Sequence, residues 1–168
     1  MELYIIRHAR AAERGPAYPD DSQRPLVDKG HKQATTLARL FKAKKLEFDR
    51  LFSSPFTRAA QTASALKNCL LNGQALDYLD ALTSDQYLDF IKDLHKQLST
   101  KDGRIGLVGH EPYLSEFASY LLTGDRTSLN LRLKKAGFLV LSGRLEPGAM
   151  SLCGFQTYSW YKDFSENQ

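Results

Sequence analysis

The sequence predicts one three-layer α/β/α domain: a mainly parallel sheet, helices on both faces, and an antiparallel strand at the C-terminal edge. Three observations predict it. Short apolar runs rich in β-formers alternate with segments whose apolar residues recur at i, i+3, i+4 and i+7, the pattern of βαβ units in a parallel sheet. The last third instead carries two strand-like runs joined around Pro147-Gly148, a turn dipeptide. The length of 168 residues suits one domain spanning 1–168, and no repeat, linker or low-complexity tract divides it.

The elements follow in order. Leu3-Tyr4-Ile5-Ile6 is a buried strand. Glu13 to Pro25, with Gly15, Pro16 and Pro19, is a loop. From Asp28, an expected N-cap, a helix carries Ala34, Leu37, Ala38 and Phe41 on one face. Asp49 to Ser54 is the second strand, Pro55 stops it, and Thr57 is expected to cap a helix bearing Ala59, Ala63, Leu66 and Leu70. Ala75 to Leu79 reads as a weaker strand. Ser84 is expected to cap a helix with Tyr87, Leu88, Ile91, Leu94 and Leu98 on one side. Ile105-Gly106-Leu107-Val108 is a clear strand, followed by a helix with Leu114, Phe117, Ala118 and Leu121. Gly137 to Leu141 and Ser151 to Phe155 form the closing hairpin.

Composition narrows the function. Twenty-three basic against 19 acidic side chains give a charge of +4, with 42% hydrophobic and 25% charged residues, an ordinary globular balance. That charge is mild and no long basic block occurs, which disfavours a nucleic-acid partner. Cys69 and Cys153 stand apart from each other and from any His cluster, and both read as small core residues. The N-terminal apolar run is too short for a signal peptide, and no segment approaches the roughly 20 apolar residues of a membrane span. A cytoplasmic protein with no membrane partner is expected.

Ligands of open α/β sheets sit beyond the carboxyl ends of the strands. Arg7-His8 ends the first strand, Ser53-Ser54-Pro55-Phe56-Thr57-Arg58 leaves the second, and Gly109-His110-Glu111-Pro112 ends the later one. Two His and two Arg thus converge on one cleft beside a helix N-terminus. Arginine forks and helix amides suit phosphoryl oxygens. A neutral imidazole is a competent nucleophile toward phosphorus, and a second His can donate to the equatorial oxygens of the transition state. With side chains supplying the cations, neither metal nor other cofactor is called for.

These segments resemble the sequence blocks of the histidine phosphatase (phosphoglycerate mutase-like) superfamily. Arg7-His8-Ala9 is similar to its Arg-His-Gly signature, with Ala9 in place of Gly. Arg24-Pro25-Leu26-Val27-Asp28-Lys29-Gly30-His31-Lys32-Gln33-Ala34 resembles the block after the first loop. Ser54 to Ala63 and Gly109 to Pro112 resemble the next two. The short chain and the Gly-His-Glu-Pro form are similar to SixA-type phosphohistidine phosphatases. The likeness runs from Glu2 to about Gly154 and implies roles. His8 would be the nucleophile, Arg7 and Arg58 would hold phosphoryl oxygens, and His110 would complete the phosphate pocket. No motif marks a glutamate proton donor; Asp80 and Asp85 lie in the right region.

Other residues have quieter readings. His31 and His95 lie among polar neighbours on helices and are expected in solvent. Glu111 is expected to help start the following helix. Arg24 and Asp21 belong to a loop long enough to touch substrate, and Arg24 is taken as a substrate-binding candidate. Arg10 faces either phosphate or solvent. Tyr158, Trp160 and Tyr161 are expected to pack on the sheet. The expected function is a metal-independent phosphatase working through phospho-His8 on a histidine-phosphorylated protein, such as a phosphotransfer domain. A phosphatase for a small phosphorylated metabolite and a non-catalytic phosphate-binding module are the alternatives.

Overall fold

The structure is a computed structural model that describes residues 1–71, 74–83, 87–98 and 103–164. Its strands are β1 (Glu2–Arg7), β2 (Arg50–Ser53), β3 (Leu76–Tyr78), β4 (Arg104–Gly109), β5 (Phe138–Gly143) and β6 (Met150–Gln156). The helices are α1 (Asp28–Ala43), α2 (Thr57–Ala65), α3 (Tyr87–Gln97), α4 (Tyr113–Thr123) and α5 (Tyr158–Tyr161). One sheet runs in the order β3-β2-β4-β1-β5-β6. The first four of these strands are parallel; β5 runs against them, and β6, antiparallel to β5, runs in their direction again.

Alternation along the strands builds two cores. Leu3, Ile5, Phe52, Leu107 and Leu139 face one side, where α3 and α4 contribute Phe90, Leu94, Phe117 and Leu121. Tyr4, Ile6, Leu51 and Val108 face the other, against Leu37 and Phe41 of α1 and Ala59 and Ala63 of α2. Residues two apart share a face and neighbours do not. The expected three layers follow directly.

Register then fixes where the loops meet. Arg7 pairs with Gly109 and Ser53 with Val108. His8 N–H donates to the Gly109 carbonyl (3.1 Å), and Ser54 N–H to the Val108 carbonyl (2.9 Å). The carboxyl ends of β1, β4 and β2 are therefore side by side at one edge.

Several local expectations need correction. Val27, not Asp28, occupies the N-cap of α1, and Asp28 sits in the first turn, where an acid still favours the helix dipole. Phe56, not Thr57, occupies the N-cap of α2, and its N–H donates to the Ser54 hydroxyl (3.2 Å). Cys69 is buried, but Cys153 is exposed. It lies on β6, the outermost strand, along which Ser151, Leu152 and Phe155 are exposed too. Tyr161 packs inward as expected, whereas Trp160 is 82% exposed. His31 and His95 are exposed. The expected cap Ser84 lies outside the described residues, as does Asp85.

Candidate active site

The two histidines meet first. His8 follows β1 and His110 follows β4, and their ring centroids are 5.1 Å apart. Both are 6% exposed. His8 Nδ1 lies 2.7 Å from the Ala9 carbonyl. A carbonyl only accepts, so Nδ1 carries the proton and Nε2 the lone pair. Burial, then His110, pushes the pKa of His8 down to about 2 against the pull of the Ala9 bond, with Arg58 and Arg7 adding to the fall. Burial and then Arg58 push His110 down to about 3. Both rings are neutral at pH 7. His110 Nε2 is 2.8 Å from Ser54 Oγ, and its Nδ1 is buried without a partner.

Arg58 and Arg7 flank the pair. Arg58, in the first turn of α2, is 4% exposed and lies 5.0 Å above the Phe56 ring. Its Nη1 donates to the Asp21 carbonyl (2.6 Å) and its Nη2 to the Asp21 carboxylate (2.9 Å). Arg7 Nη1 donates to the Leu133 carbonyl (2.8 Å). Both guanidiniums keep a buried Nε without a partner, the condition of donors placed for an anion.

The turn after His8 is pinned by side chains from the resembling blocks. Thr62 Oγ1 accepts from Ala9 N–H (3.0 Å) and donates to the Arg58 carbonyl (2.7 Å). Gln33 accepts from Arg10 N–H (2.9 Å), and Gln61 from Leu26 N–H (2.7 Å). These side chains satisfy the Ala9, Arg10 and Leu26 amides of the loop around His8. Left-handed φ among described non-glycine residues is confined to Lys45 and Ala136, so Ala9 carries its extra methyl without that strain.

The loop between α4 and β5 carried no sequence signal, yet it braces β1. Besides the Leu133 carbonyl on Arg7, Ala136 N–H donates to the Arg7 and His8 carbonyls (3.2 and 3.3 Å). Tyr161 of α5 in turn donates its hydroxyl to the Ala136 carbonyl.

A cavity of about 650 Å³ opens over the site, lined by Arg58 and His110, by Arg14, Tyr18 and Asp21 of the first loop, and by Glu111 and Tyr113. The remaining candidates sort against it. Arg24, expected at the substrate, donates to the Asp21 carboxylate (2.8 Å) and the Ala12 carbonyl (2.7 Å). Glu111 accepts from Ser115 Oγ at the start of α4 (2.8 and 2.9 Å), and burial lifts its carboxyl above the usual range. Asp80 is exposed and is not part of the lining. Among the described residues, no cluster of three or more His, Cys, Asp or Glu is placed to hold a metal ion, and no helix is long and apolar enough to cross a membrane.

Residues 3–83 match the model of the histidine phosphatase superfamily, branch 1. An uncharacterised protein of Picosynechococcus sp. is 34% identical over 141 residues, 84% of each chain. The chain belongs to the histidine phosphatase superfamily. The phosphohistidine phosphatase SixA of Escherichia coli is 28% identical over 74% of this chain and 76% of its own. A structure of the protein histidine phosphatase SixA with tungstate superposes with a TM-score of 0.81 at 22% identity, over 95% of this chain and 98% of that one. A phosphoserine phosphatase of Entamoeba histolytica in complex with 3-phosphoglyceric acid superposes at 0.69 with 17% identity, over 93% and 96%. These likenesses establish the α/β fold of the superfamily. Membership in this histidine phosphatase family supports phosphatase activity.

Proposed function

We propose that this phosphatase removes the phosphoryl group from phosphohistidine in proteins, with His8 as the transient acceptor. The carrying observation is the neutral His8 ring, its proton held on Nδ1 by the Ala9 carbonyl, beside His110 and Arg58. His8 Nε2 attacks phosphorus; the Nε2–P bond forms as the P–N bond of the substrate breaks. The leaving ring departs neutral when its other nitrogen is already protonated, so no strong protein acid is required. This suits a site in which Asp80 is exposed and Glu111 is tied to Ser115. Water then attacks phospho-His8, phosphate leaves, and Nε2 regains its lone pair.

The other groups serve the oxygens. Arg7 and Arg58 offer Nε–H and the rest of their forks to phosphoryl oxygens. The Ser54 hydroxyl, already accepting from Phe56 N–H, donates to His110 Nε2, which leaves Nδ1–H of His110 to donate into the phosphate pocket. Arg24 adds charge from behind Asp21.

The test is kcat/KM for a phosphohistidine peptide against a panel of phosphomonoesters, in chelator, with His8→Ala as control. Strong preference for phosphohistidine, abolished in His8→Ala, is expected. Substantial turnover by His8→Ala sinks the mechanism. Preference for one ester supports the second reading, a small-metabolite phosphatase, which the cavity under the first loop favours.

A further inference from the structure

We propose that a second cavity, between the C-terminal end of α1, the β1–β5 face of the sheet and α5, binds a small flat aromatic molecule that carries one anionic group. This site is independent of the reaction proposed above. It shares no lining residue with the cavity over the histidines. Arg104, on its lining, opens β4, and His110 follows the end of that strand. The rise of an extended chain puts about 20 Å between the two.

The cavity holds about 540 Å³, the range of small-molecule sites. It exists because α1 ends at Ala43 and α5 has only four residues, so the helical layer leaves part of the β1–β5 face open. The floor is aromatic. Tyr4 and Phe138 rise from the sheet, Phe41 comes from α1 and Tyr161 from α5, and all four are buried. Their rings meet edge to face, Tyr4 on Phe41 at 5.9 Å and Phe41 on Phe138 at 5.1 Å. Trp160 forms an open wall, 82% exposed. A guest ring that covers this indole takes its apolar surface out of water.

The charge on the lining has one sign. Lys44, Lys45 and Arg104 line the cavity, and no Asp or Glu among the described residues does. Glu2 answers Arg104 (2.9 Å). Lys44 and Lys45 form no ion pair among the described residues. The backbone singles out Lys45. Its N–H donates to the Lys42 carbonyl (2.9 Å), and Leu46 N–H donates to the Phe41 carbonyl (2.9 Å). This is a helix stop whose left-handed residue is ordinarily glycine, yet Lys45 holds that position with φ 52°. The helix dipole favours cations nearby, but it does not call for one at the left-handed residue. Glycine would close the same turn without strain and without charge. Ammonium groups beside a floor of rings match an anionic group on a flat apolar body.

Two probes with the same rings, 2-naphthoate and 2-naphthamide, provide the test. Calorimetry gives their affinities. The indole N–H resonance of Trp160, the one tryptophan in the chain, reports where they bind. The native protein is expected to bind one naphthoate, about tenfold more tightly than naphthamide, the scale of one hydrogen bond to a charged group. Both probes shift the Trp160 resonance, and the difference in affinity shrinks as salt is added. Lys44→Gln combined with Lys45→Gly brings the two affinities together; the second change relieves the left-handed position, so the variant keeps its fold. Saturating inorganic phosphate leaves naphthoate binding unchanged, because phosphate belongs to the other cavity. A Trp160 resonance that naphthoate does not move, or displacement of naphthoate by phosphate, overturns the site. Equal affinities in the native protein, or a preference that survives the double substitution, overturns the anionic class of the ligand.

Discussion

Asp21 grips Arg58 twice, with its backbone carbonyl on Nη1 at 2.6 Å and its carboxylate on Nη2 at 2.9 Å. A loop residue thus sits where a substrate oxygen would compete. Burial alone would raise the Asp21 carboxyl, but Arg24, Arg58 and Arg14 together hold it at about 2, so it is ionised at neutral pH. The contact aligns Arg58 and also opposes any anion beside it.

Asp21→Asn separates these two effects. The amide oxygen still accepts from Arg58, while the charge disappears. Inorganic phosphate is expected to inhibit roughly fivefold more tightly, the scale of about 1 kcal/mol for a partly exposed ion pair. Competitive inhibition constants measure it. Weaker phosphate binding in the variant would show that alignment, not charge opposition, is what Asp21 contributes.

Ser54→Ala tests how His110 is set. In the arrangement proposed above, the Ser54 hydroxyl 2.8 Å from Nε2 donates to it, which puts the proton of His110 on Nδ1. The variant frees the ring to take the other tautomer. We expect kcat to fall roughly tenfold, less than the ~100-fold or more for losing an oxyanion donor outright. The ¹⁵N shifts of the His110 ring should report Nδ1–H in the native protein and a mixture in Ser54→Ala. A native ring protonated on Nε2 would refute the arrangement.

The contrast between Arg58 and Leu133 shows what a sequence can carry. Arg7, His8, Arg58 and His110 each stand in a local block at a strand end or in the first turn of a helix. Periodicity located those ends, and parallel register brought them together. The Leu133 carbonyl belongs to a stretch without periodicity, and it reaches Arg7 across 126 residues of chain. The Asp21–Arg58 pair spans 37 residues from a loop whose path no pattern encodes. Cys153 and Trp160 misled for a related reason. Apolar character marks a residue as able to be buried, but Cys153 lies on β6 at an edge of the sheet, where only Met150 is buried, and Trp160 points to solvent from α5.

Gly30 has a steric reason inside a helix that otherwise disfavours glycine. A Cβ there would lie 1.9 Å from the Arg10 carbonyl oxygen. That carbonyl accepts from Val27 N–H (3.1 Å), and Arg10 N–H is held by Gln33. Gly30→Ala therefore pushes on the turn that follows His8. The expected cost is about 1–3 kcal/mol of stability, the range for overpacking, with turnover reduced because the turn moves. Urea unfolding and steady-state kinetics check both; a variant as stable and active as the native protein would mean that the turn yields freely.

Acid sensitivity should start with the histidines. His8 and His110 have pKa values lowered to about 2 and about 3, far below the ordinary 6.5. The unfolded chain binds their protons first, so between about pH 6.5 and pH 3 stability must rise with pH and fall as acid is added. Each buried histidine contributes a slope of up to about 1.4 kcal/mol per pH unit in that window. Asp21, lowered from 3.8 to about 2, acts later: its contribution is full above pH 3.8 and is lost as the pH falls through about 2. Urea midpoints from pH 7.5 to 4.5 should therefore decline from about pH 6.5 downward. His8→Ala should show roughly half the histidine-dependent slope. Equal slopes in the two proteins would mean that His8 takes its proton as readily when folded as when unfolded, and that the neutral nucleophile is not enforced by burial.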